Sequence, residues 1–320
     1  MKRFLVTGGA GFIGSHLVEA LVRKKYFVRV LDNFSSGKKE NLAGLLSKID
    51  LIEADICSED SCLKAAKGID FVLHQAALRS VPKSFETPGN YNEVNIGGTL
   101  NMLEAALKNK VKSFVFASSS SIYGDIDRFP EKENFLPQPI SPYALSKLAG
   151  EHYCKIFSCH YGLSTTALRY FNVFGPRQSV DDEYAVVIPK FITCMLKGQP
   201  LPIFGSGRQS RDFTFVANVV DANILASQKL EFKGDVFNVA GGRNYSILKL
   251  VDLLNKILRK DIKPSFLPIR AGDVLKTNAD LSKSKRLLEF SPKIDFIEGL
   301  KLTVEYFKKT YVGTGLAPVR

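Results

Sequence analysis

Short apolar runs alternate with amphipathic stretches through the first half of the chain. The apolar runs cover residues 3–7, 28–32, 49–54, 71–74, 113–118 and 165–170. Between them, stretches such as 15–25 and 95–108 carry apolar residues three and four positions apart, which is the spacing of a helix with one buried face. Buried strands that alternate with helices require a parallel sheet covered by helices on both sides. The sequence therefore predicts an α/β fold built on a doubly wound parallel sheet.

The alternation becomes irregular after Asn172. Turn-forming Gly and Pro residues occur at 175–176, 199–202 and 205–207, and further strand and helix patterns follow at 211–230, 236–239, 246–259 and 297–308. We expect residues 1–172 to form a nucleotide-binding domain, with 211–240 returning to it so that strands near 213–216 and 236–239 join its sheet. We expect residues 173–210 and 241–310 to form a smaller C-terminal lobe that binds the substrate. Residues 311–320 carry no helical periodicity and are expected to be a tail.

The charge balance limits the possible partners. The chain has 44 Lys and Arg against 32 Asp and Glu, a formal net charge of +12. The basic residues are scattered and do not gather with aromatic residues on one helix or loop, so we expect no nucleic-acid partner. A positive surface instead favours an anionic substrate that carries phosphate groups.

The cysteines and the apolar runs indicate a cytoplasmic location. The five cysteines form no C-x-x-C pair, which a reducing setting explains better than a disulfide or zinc framework, and we expect no metal. The apolar stretch at the N-terminus is too short for a signal peptide. No run of about 18 uncharged apolar residues exists, so we expect no membrane partner.

Three glycines follow the first predicted strand directly. Gly8, Gly11 and Gly14 form a G-x-x-G-x-x-G turn between that strand and the next helix. The first glycine permits the tight turn, the second lets the backbone approach a pyrophosphate, and the third lets the helix pack against the strand. The helix N-terminus adds unpaired N–H groups. The alternative is a flexible turn in an ordinary α/β domain, but this position favours a dinucleotide site in a Rossmann-type fold.

Acidic residues end the second and third predicted strands. Asp32 lies 18 positions after Gly14, where a carboxylate accepts hydrogen bonds from ribose hydroxyls and repels a 2′-phosphate. This favours NAD over NADP, although Lys38 and Lys39 would suit a phosphate instead. Asp55 lies where an adenine edge would be bound, and the alternative role for it is a helix cap or turn.

Tyr143 and Lys147 are four residues apart and share one face of a predicted helix. Ser141 and Pro142 suit the N-cap and the first helical position. The helix start and the adjacent ammonium should lower the tyrosine pKa from about 10 toward the working pH. Such a phenol can take a proton from a substrate hydroxyl while a hydride leaves the same carbon. The alternative is a surface Tyr–Lys pair of the kind that stabilises any helix.

A run of four serines, 118–121, follows the fifth apolar run. A hydroxyl at the carboxyl end of a buried parallel strand faces the crevice where α/β proteins bind ligands. We therefore expect one of these serines to hold the substrate hydroxyl beside Tyr143.

The glycine turn, the serine run, Tyr143-x-x-x-Lys147 and the segment 169–175 (RYFNVFG) together resemble the NAD-dependent epimerase/dehydratase family of extended short-chain dehydrogenases/reductases. The resemblance extends from residue 4 to about 308. The segments 74–77, 80–84, 184–189 and 210–213 are most similar to UDP-N-acetylglucosamine 4-epimerases and the related uronate 4-epimerases.

The resemblance implies a role for each residue that matches a motif of this family. The residues implied to surround NAD are Gly8, Gly11, Phe12, Ile13, Gly14, Asp32, Asn33, Asp55, Ile56, Gln75, Ala76, Ala77, Asn95, Ser118, Tyr143, Lys147 and Tyr170. The catalytic residues implied are Ser119, Tyr143 and Lys147. The residues implied to bind the UDP-sugar are Arg79, Ser80, Ser119, Ser121, Asn172, Val187, Arg211, Arg270, Asp273 and Thr277.

Two of the implied substrate residues bear on the sugar. Thr277 matches a position where a bulky tyrosine excludes an N-acetyl group in this family, so the small threonine implies that N-acetylated sugars are admitted. Arg79 departs from the small residue often found before Ser80. It would pair with a uronate carboxylate or point outward, and the choice between a neutral and an acidic sugar stays open.

The resemblance implies a UDP-N-acetylhexosamine 4-epimerase that works through a transient 4-keto sugar, either on UDP-GlcNAc and UDP-GalNAc or on their uronate forms. Epimerases of UDP-glucose or UDP-glucuronate are alternatives. A 4,6-dehydratase is disfavoured because such enzymes carry Asp-Glu where this chain has Ser120-Ser121. A non-catalytic NAD-binding module need not keep Ser119, Tyr143 and Lys147 together. The family also implies a homodimer formed by the helices at 95–108 and 143–161.

Overall fold

The computed structural model describes residues 1–179, 187–268 and 274–313, the last three without their side chains. The strands are β1 (Arg3–Thr7), β2 (Phe27–Asp32), β3 (Asp50–Glu53), β4 (Phe71–His74), β5 (Ser113–Ser119), β6 (Ser164–Tyr170), β7 (Val173–Phe174), β8 (Leu201–Phe204), β9 (Ser210–Asp212), β10 (Thr214–Phe215), β11 (Lys233–Val239), β12 (Asn244–Ser246) and β13 (Pro264–Leu267).

The α-helices are α1 (Phe12–Arg23), α2 (Glu59–Ala66), α3 (Val81–Glu86), α4 (Pro88–Tyr91), α5 (Gly98–Lys108), α6 (Pro142–Tyr161), α7 (Val187–Leu196), α8 (Val216–Gln228), α9 (Ile247–Leu258) and α10 (Phe296–Gly313). 3₁₀ segments lie at Lys39–Lys48 and Ser120–Tyr123, and π-helical segments at Asn92–Gly97 and Ser284–Leu288.

Seven parallel strands form the central sheet in the order β11-β6-β5-β4-β1-β2-β3. All six strands expected from the first half of the sequence are in it, with bounds within a residue or so of those predicted. The predicted fold class, a doubly wound parallel sheet, is confirmed.

Successive side chains of each central strand point to opposite faces of the sheet. On β1, Phe4 and Val6 pack into one apolar cluster with α1 and α8, whereas Leu5 packs into another with α2, α5 and α6. This alternation explains why the strands read as continuous apolar runs, because both faces are covered.

The prediction that a strand near 213–216 joins the central sheet is wrong. Strand β11 does lie at the sheet edge beside β6, but β10 pairs with β7 in a separate two-stranded sheet. The reason lies just after β6, where Asn172 takes a positive φ of 36° and the chain leaves the sheet. Phe215 then packs with Phe174 and Phe296 in a second apolar cluster that α7, α9 and α10 cover.

The expected tail begins later than predicted. Helix α10 continues through Gly313, and between Gly299 in its first turn and that residue it contains no Gly or Pro. The remainder of the predicted tail, 314–320, lies outside the described residues.

Helix α6 packs very closely against β5. Ser141 caps the helix, with its side chain accepting a hydrogen bond of 3.1 Å from the backbone N–H of Ala144, and Pro142 occupies the first turn, as predicted. Two turns later, a Cβ at Gly150 would lie 2.2 Å from Cζ of Phe116, whose ring is 1% exposed. Only glycine allows the helix to approach the strand at this distance.

We expect Gly150→Ala to lower the free energy of unfolding by about 1–3 kcal/mol, because the added methyl group has to displace a buried ring. Urea denaturation measures the loss. Gly44→Ala is the matched control, since a Cβ at Gly44 meets nothing within 4 Å, and its unfolding free energy should stay within about 1 kcal/mol of the parent. Equal stability of the two variants would contradict the packing described for α6.

Candidate functional site

The carboxyl ends of the central strands open onto a cavity of about 760 Å³. Gly8 lies just after β1, Asp32 ends β2, Gln75 follows β4, and Tyr170 ends β6. All of the residues implied to surround NAD line this cavity except Asn95. This is the edge at which open α/β sheets bind ligands.

The glycine turn leaves room for a pyrophosphate against the backbone. Gly8 takes a positive φ of 66°, and a Cβ there would lie 2.7 Å from the backbone N of Ala76. A Cβ on Gly14 would lie 2.0 Å from the carbonyl oxygen of Gly8. Gly11 begins helix α1 without a side-chain cap, so the first N–H groups of the helix stay available to an anion. These features fit a dinucleotide cofactor.

Asp32 and Asp55 shape the adjoining part of the cavity. The carboxylate of Asp32 accepts hydrogen bonds of 2.8 Å each from the backbone N–H groups of Ala10 and Phe34, while burial raises its pKa. Burial also acts to raise the pKa of Asp55, but hydrogen bonds from the backbone of Cys57 and the amide of Asn33 outweigh it and lower that pKa. Both carboxylates line the cavity where ribose and adenine would lie.

The lysines after β2 have separate environments. Lys39 forms a 2.8 Å ion pair with Glu53, so its ammonium is engaged outside the lining of the cavity, whereas Lys38 lines it. A 2′-phosphate would also have to lie near the carboxylate of Asp32. This arrangement agrees with the preference for NAD over NADP expected from the sequence.

Asn95 lies behind the wall of the cavity. Its side-chain oxygen accepts a 2.8 Å hydrogen bond from the backbone N–H of Leu78, and its amide donates to the Leu78 carbonyl oxygen and to Oγ of Ser146. The asparagine is 2% exposed. Its polar atoms therefore hold the segment after β4 against α6, and the contact with NAD that the resemblance implies stays a prediction.

The three implied catalytic residues come together at the end of β5. Tyr143, in the first turn of α6, lies close enough to Ser119 for that hydroxyl to lower its pKa. Oγ of Ser121 donates a 2.9 Å hydrogen bond to Oγ of Ser119. Nζ of Lys147 donates a 2.9 Å hydrogen bond to the carbonyl oxygen of Ala117 and lies 6.0 Å from the centroid of the Tyr143 ring.

The electrostatics of Tyr143 differ from the expectation. Burial raises the pKa of Tyr143, and the two effects that lower it are the hydrogen bond to Ser119 and the charge of Arg79. Lys147 is not among the groups that lower the pKa of Tyr143, and its ammonium donates a hydrogen bond to the Ala117 carbonyl. Burial also lowers the pKa of Lys147 to about 7. The prediction that the helix start and Lys147 lower the pKa of Tyr143 is therefore wrong for this structure.

Several of the implied substrate residues form a second group, outside the lining of the cavity. Nδ2 of Asn172 donates to Oγ1 of Thr277 at 2.9 Å, and the backbone N–H of Asp212 donates to the same hydroxyl at 3.1 Å. Arg211 precedes Asp212 on β9. Thr277 is 8% exposed, so its side chain is fixed by these contacts.

The remaining substrate residues are placed less closely together. Arg79 lines the cavity near Tyr143, and Ser80 caps α3 by accepting a hydrogen bond from the backbone N–H of Lys83. Val187 begins α7 and packs partly against the second apolar cluster. Arg270 and Asp273 lie outside the described residues.

The sequence profile of the NAD dependent epimerase/dehydratase family matches residues 4–240. The chain belongs to this family. A solved UDP-N-acetylglucosamine 4-epimerase from Methanobrevibacter ruminantium M1, in complex with UDP-N-acetylmuramic acid, is 42% identical, with a TM-score of 0.92 over 97% of this chain and 99% of that one. A UDP-glucuronic acid 4-epimerase from Bacillus cereus, solved with UDP-glucuronic acid and NAD, is 37% identical, with a TM-score of 0.89 over 97% and 100% of the two chains.

A putative UDP-glucose 4-epimerase from Methanocaldococcus jannaschii is 39% identical over 95% of this chain and 98% of its own length. These similarities confirm the predicted family, and membership in it confirms NAD as the cofactor. At the level of the family they also confirm the assignment to NAD-dependent nucleotide-sugar 4-epimerases, which are isomerases.

Part of the cavity of this family member was missed from the sequence. Beyond the glycine turn, the cavity is also lined by Ser35, Ser36, Gly37, Asn41, Arg177, Gln178, Thr193, Leu196, Lys197, Tyr306, Phe307 and Thr310. The small and polar residues directly after β2 were a usable signal, because they follow an acidic strand end. No local pattern marks the residues from α7 and α10, because only the tertiary fold brings these helices to the glycine turn.

Arg177 connects these parts of the fold. Its guanidinium donates to Oε2 of Glu19 at 2.6 Å and contacts Nδ1 of His16 at 2.7 Å, and both partners lie on α1. Burial, with the Arg177 charge as a second cause, lowers the pKa of His16 to about 4. The neutral imidazole accepts from the guanidinium and fixes the loop after β7 against the helix of the glycine turn.

Two buried carboxyl groups lie beneath the Asn172–Thr277 group. Burial raises the pKa values of Asp212 and Glu131 to about 7 in each case, and the Glu131 charge further raises that of Asp212. Oε2 of Glu131 accepts a 2.7 Å hydrogen bond from the backbone N–H of Asn278. Asp212 accepts from the backbone N–H groups of Gly242 and Ala279. The charge on this pair therefore changes near neutral pH.

We expect Glu131→Gln to change how stability depends on pH. The carboxyl pKa rises from 4.5 to about 7 on folding, so the folded chain binds the extra proton and the parent loses stability as pH rises through that interval. Relative to the glutamine variant, the parent should lose about 1–2 kcal/mol between pH 5 and pH 8, after discounting for solvent screening. Urea denaturation at the two pH values measures the difference. Glu305→Gln, at an exposed position on α10, should show no such change. A parent that gains stability relative to the Glu131 variant would contradict the assignment.

Proposed function

We propose that the chain interconverts UDP-GlcNAc and UDP-GalNAc by inverting the configuration at C4, with NAD bound in the cavity. The observation that carries the proposal is the contact between Tyr143 and Ser119 at the edge of a cavity shaped for a dinucleotide. A phenol, a serine hydroxyl and a buried lysine at this edge are the groups needed to move a proton on and off a sugar hydroxyl.

The cofactor is held by the residues that already line the cavity. The glycine turn and the start of α1 would bind the pyrophosphate, Asp32 the adenosine ribose, and Lys147 the ribose on the nicotinamide side. When bound, NAD supplies the acceptor and donor of the C4 hydride. The protein supplies the proton chemistry and the orientation of the sugar.

Tyr143 is the proton-transfer group in this proposal. It takes the proton of the 4-hydroxyl and returns it after the sugar has presented its other face, while Ser119 orients the hydroxyl. Oxidation at C4 is faster when the phenol is ionised, so groups that lower its pKa assist the reaction. Ser119 and Arg79 do this in the structure, and Ser121 directs the Ser119 hydroxyl by donating to it.

The UDP-sugar would extend from the cavity to the separate group that contains Asn172, Arg211 and Thr277. A guanidinium group can bind two diphosphate oxygens at once, and this role suits Arg211. Arg270, which lies outside the described residues, is the second arginine proposed for it. The small side chain of Thr277 would leave room for an N-acetyl group on the sugar. We include residues 173–210 and 241–310 in this substrate lobe.

The uronate forms of these sugars are the second candidate, and Arg79 favours them. It lines the cavity close enough to Tyr143 for its charge to act on the phenol, so a carboxylate on C6 would meet a cation near the reacting carbon. The neutral sugars remain the first choice because the segments 74–77, 80–84, 184–189 and 210–213 are similar to those of UDP-N-acetylglucosamine 4-epimerases.

We also propose a homodimer with a cytoplasmic location. Leu145 and Ile156 are 54% and 44% exposed, and their spacing places them on one face of α6. Pairing α5 and α6 with those of a second copy would cover them. The five cysteines are all free, which suits a reducing compartment. None of the helices in the described part of the chain combines the length and apolar character needed to cross a bilayer.

We expect the purified protein to convert UDP-GlcNAc to its C4 epimer without added cofactor. The assay compares UDP-GlcNAc, UDP-glucose, UDP-glucuronate and UDP-GlcNAc uronate by chromatography of the products. Faster turnover of UDP-GlcNAc uronate would support the second candidate, and turnover of UDP-glucose or UDP-glucuronate alone would overturn both. A 4-keto-6-deoxy product would identify a dehydratase instead.

Tyr143→Phe tests the proton transfer and should lower kcat by about 10²–10⁴-fold while bound NAD is retained. Tyr161→Phe is the matched control, because that tyrosine lies in the last turn of the same helix and is 57% exposed. It should keep the parent rate. Normal turnover in Tyr143→Phe would defeat the mechanism.

A further inference from the structure

A buried carboxylate lies one helical turn after Lys147. Glu151 is 5% exposed, and its two oxygens accept three hydrogen bonds from buried groups. Arg169 donates from Nε to Oε1 at 2.9 Å and from Nη2 to Oε2 at 2.7 Å. Oγ of Ser118 donates to Oε1 at 2.5 Å. None of these three residues is among the groups assigned a proton-transfer role above.

The three residues come from three neighbouring elements. Glu151 lies on α6, Ser118 near the end of β5, and Arg169 near the end of β6. Ser118 and Arg169 are direct partners in the β5–β6 register, so their side chains lie on the same face of the sheet. One carboxylate therefore joins the catalytic helix to the ends of both strands.

Ser118 is also the covalent neighbour of the residue that contacts Tyr143. On one side of it, the Ala117 carbonyl accepts from Lys147, and on the other side Ser119 lies close enough to Tyr143 to lower its pKa. Three residues of α6 thus face three successive residues of β5: Lys147 faces Ala117, Glu151 faces Ser118, and Tyr143 faces Ser119. A shift of Ser118 away from α6 would move Ser119 with it.

The Glu151–Arg169 ion pair is by itself weak evidence for a gain in stability. A buried Arg–carboxylate pair loses its hydration on folding, and apolar replacements of similar volume often leave stability unchanged or raise it. What such a pair supplies is direction, because the planar guanidinium and the two oxygens meet in one geometry. The remaining acceptor position on Oε1 is then aimed at Ser118.

We propose that Glu151, oriented by Arg169, is a positioning residue that holds Ser118 and thereby sets the placement of Ser119 against Tyr143. The proposal rests on the proposed function, since it concerns the same proton transfer. It also reassigns Ser118, whose hydroxyl is directed to Glu151 and not to the cofactor.

Ser118→Ala tests the proposal directly, because it removes one hydrogen bond and leaves the Glu151–Arg169 pair in place. Replacing Glu151 itself would leave a buried arginine unpaired and endanger folding. Ser158→Ala is the matched control. Ser158 is another buried serine of α6, and its Oγ donates to the Leu163 carbonyl oxygen and contacts Oγ1 of Thr165, at the opposite end of β6.

The variants are compared on the donor that the parent converts. We expect Ser118→Ala to lower kcat by about 10- to 100-fold, with KM within about twofold and NAD content unchanged, because only the placement of reacting groups is affected. The rising limb of the kcat–pH profile should move to higher pH, since a displaced Ser119 lowers the tyrosine pKa less. Ser158→Ala should lower Tm about as much as Ser118→Ala does but keep kcat within about twofold of the parent.

The other outcomes overturn one claim each. Equal kcat and pH profiles in the two variants would overturn the positioning role. Loss of NAD from Ser118→Ala would overturn it as well, because the serine would then be a cofactor ligand. A parent that converts none of the donors would instead overturn the proposed function, and this result is obtained before any variant is compared.

Discussion

Helix α6 lies against strand β5 so closely that position 150 has no room for a side chain. This approach brings the first turn of the helix to the end of the strand, where Tyr143 meets Ser119. It also explains why Lys147 is buried and donates to a strand carbonyl at 2.9 Å. The geometry of the reacting groups is therefore a consequence of helix–sheet packing, and the loops around the cavity add the binding surfaces to it.

Burial has opposite effects on the two ionisable groups of this helix. It raises the pKa of Tyr143 and lowers that of Lys147 to about 7, so both groups are biased toward their neutral forms. The phenol is a weak base in that state. Polar neighbours then decide how readily it ionises, and Ser119 and Arg79 are the two that act in this direction.

The sequence was sufficient where local pattern and function coincide. Apolar runs located the strands of the central sheet because both faces are buried, and the glycine turn located the cavity at their carboxyl ends because only Gly fits the approach of Gly8 to Ala76. It was insufficient where tertiary contacts override local pattern. A positive φ at Asn172 diverts the chain so that β10 leaves the sheet. The walls of the cavity from α7 and α10 belong to distant parts of the chain, so no local pattern marked them.

The central claim is that the hydrogen on C4 leaves and returns within one closed site, while Tyr143 exchanges only the hydroxyl proton. UDP-GlcNAc with deuterium at C4, converted in ordinary water and analysed by mass spectrometry and NMR, tests it most directly. The account predicts that the UDP-GalNAc formed keeps its deuterium at C4. Loss of the label to water at C4 would contradict it.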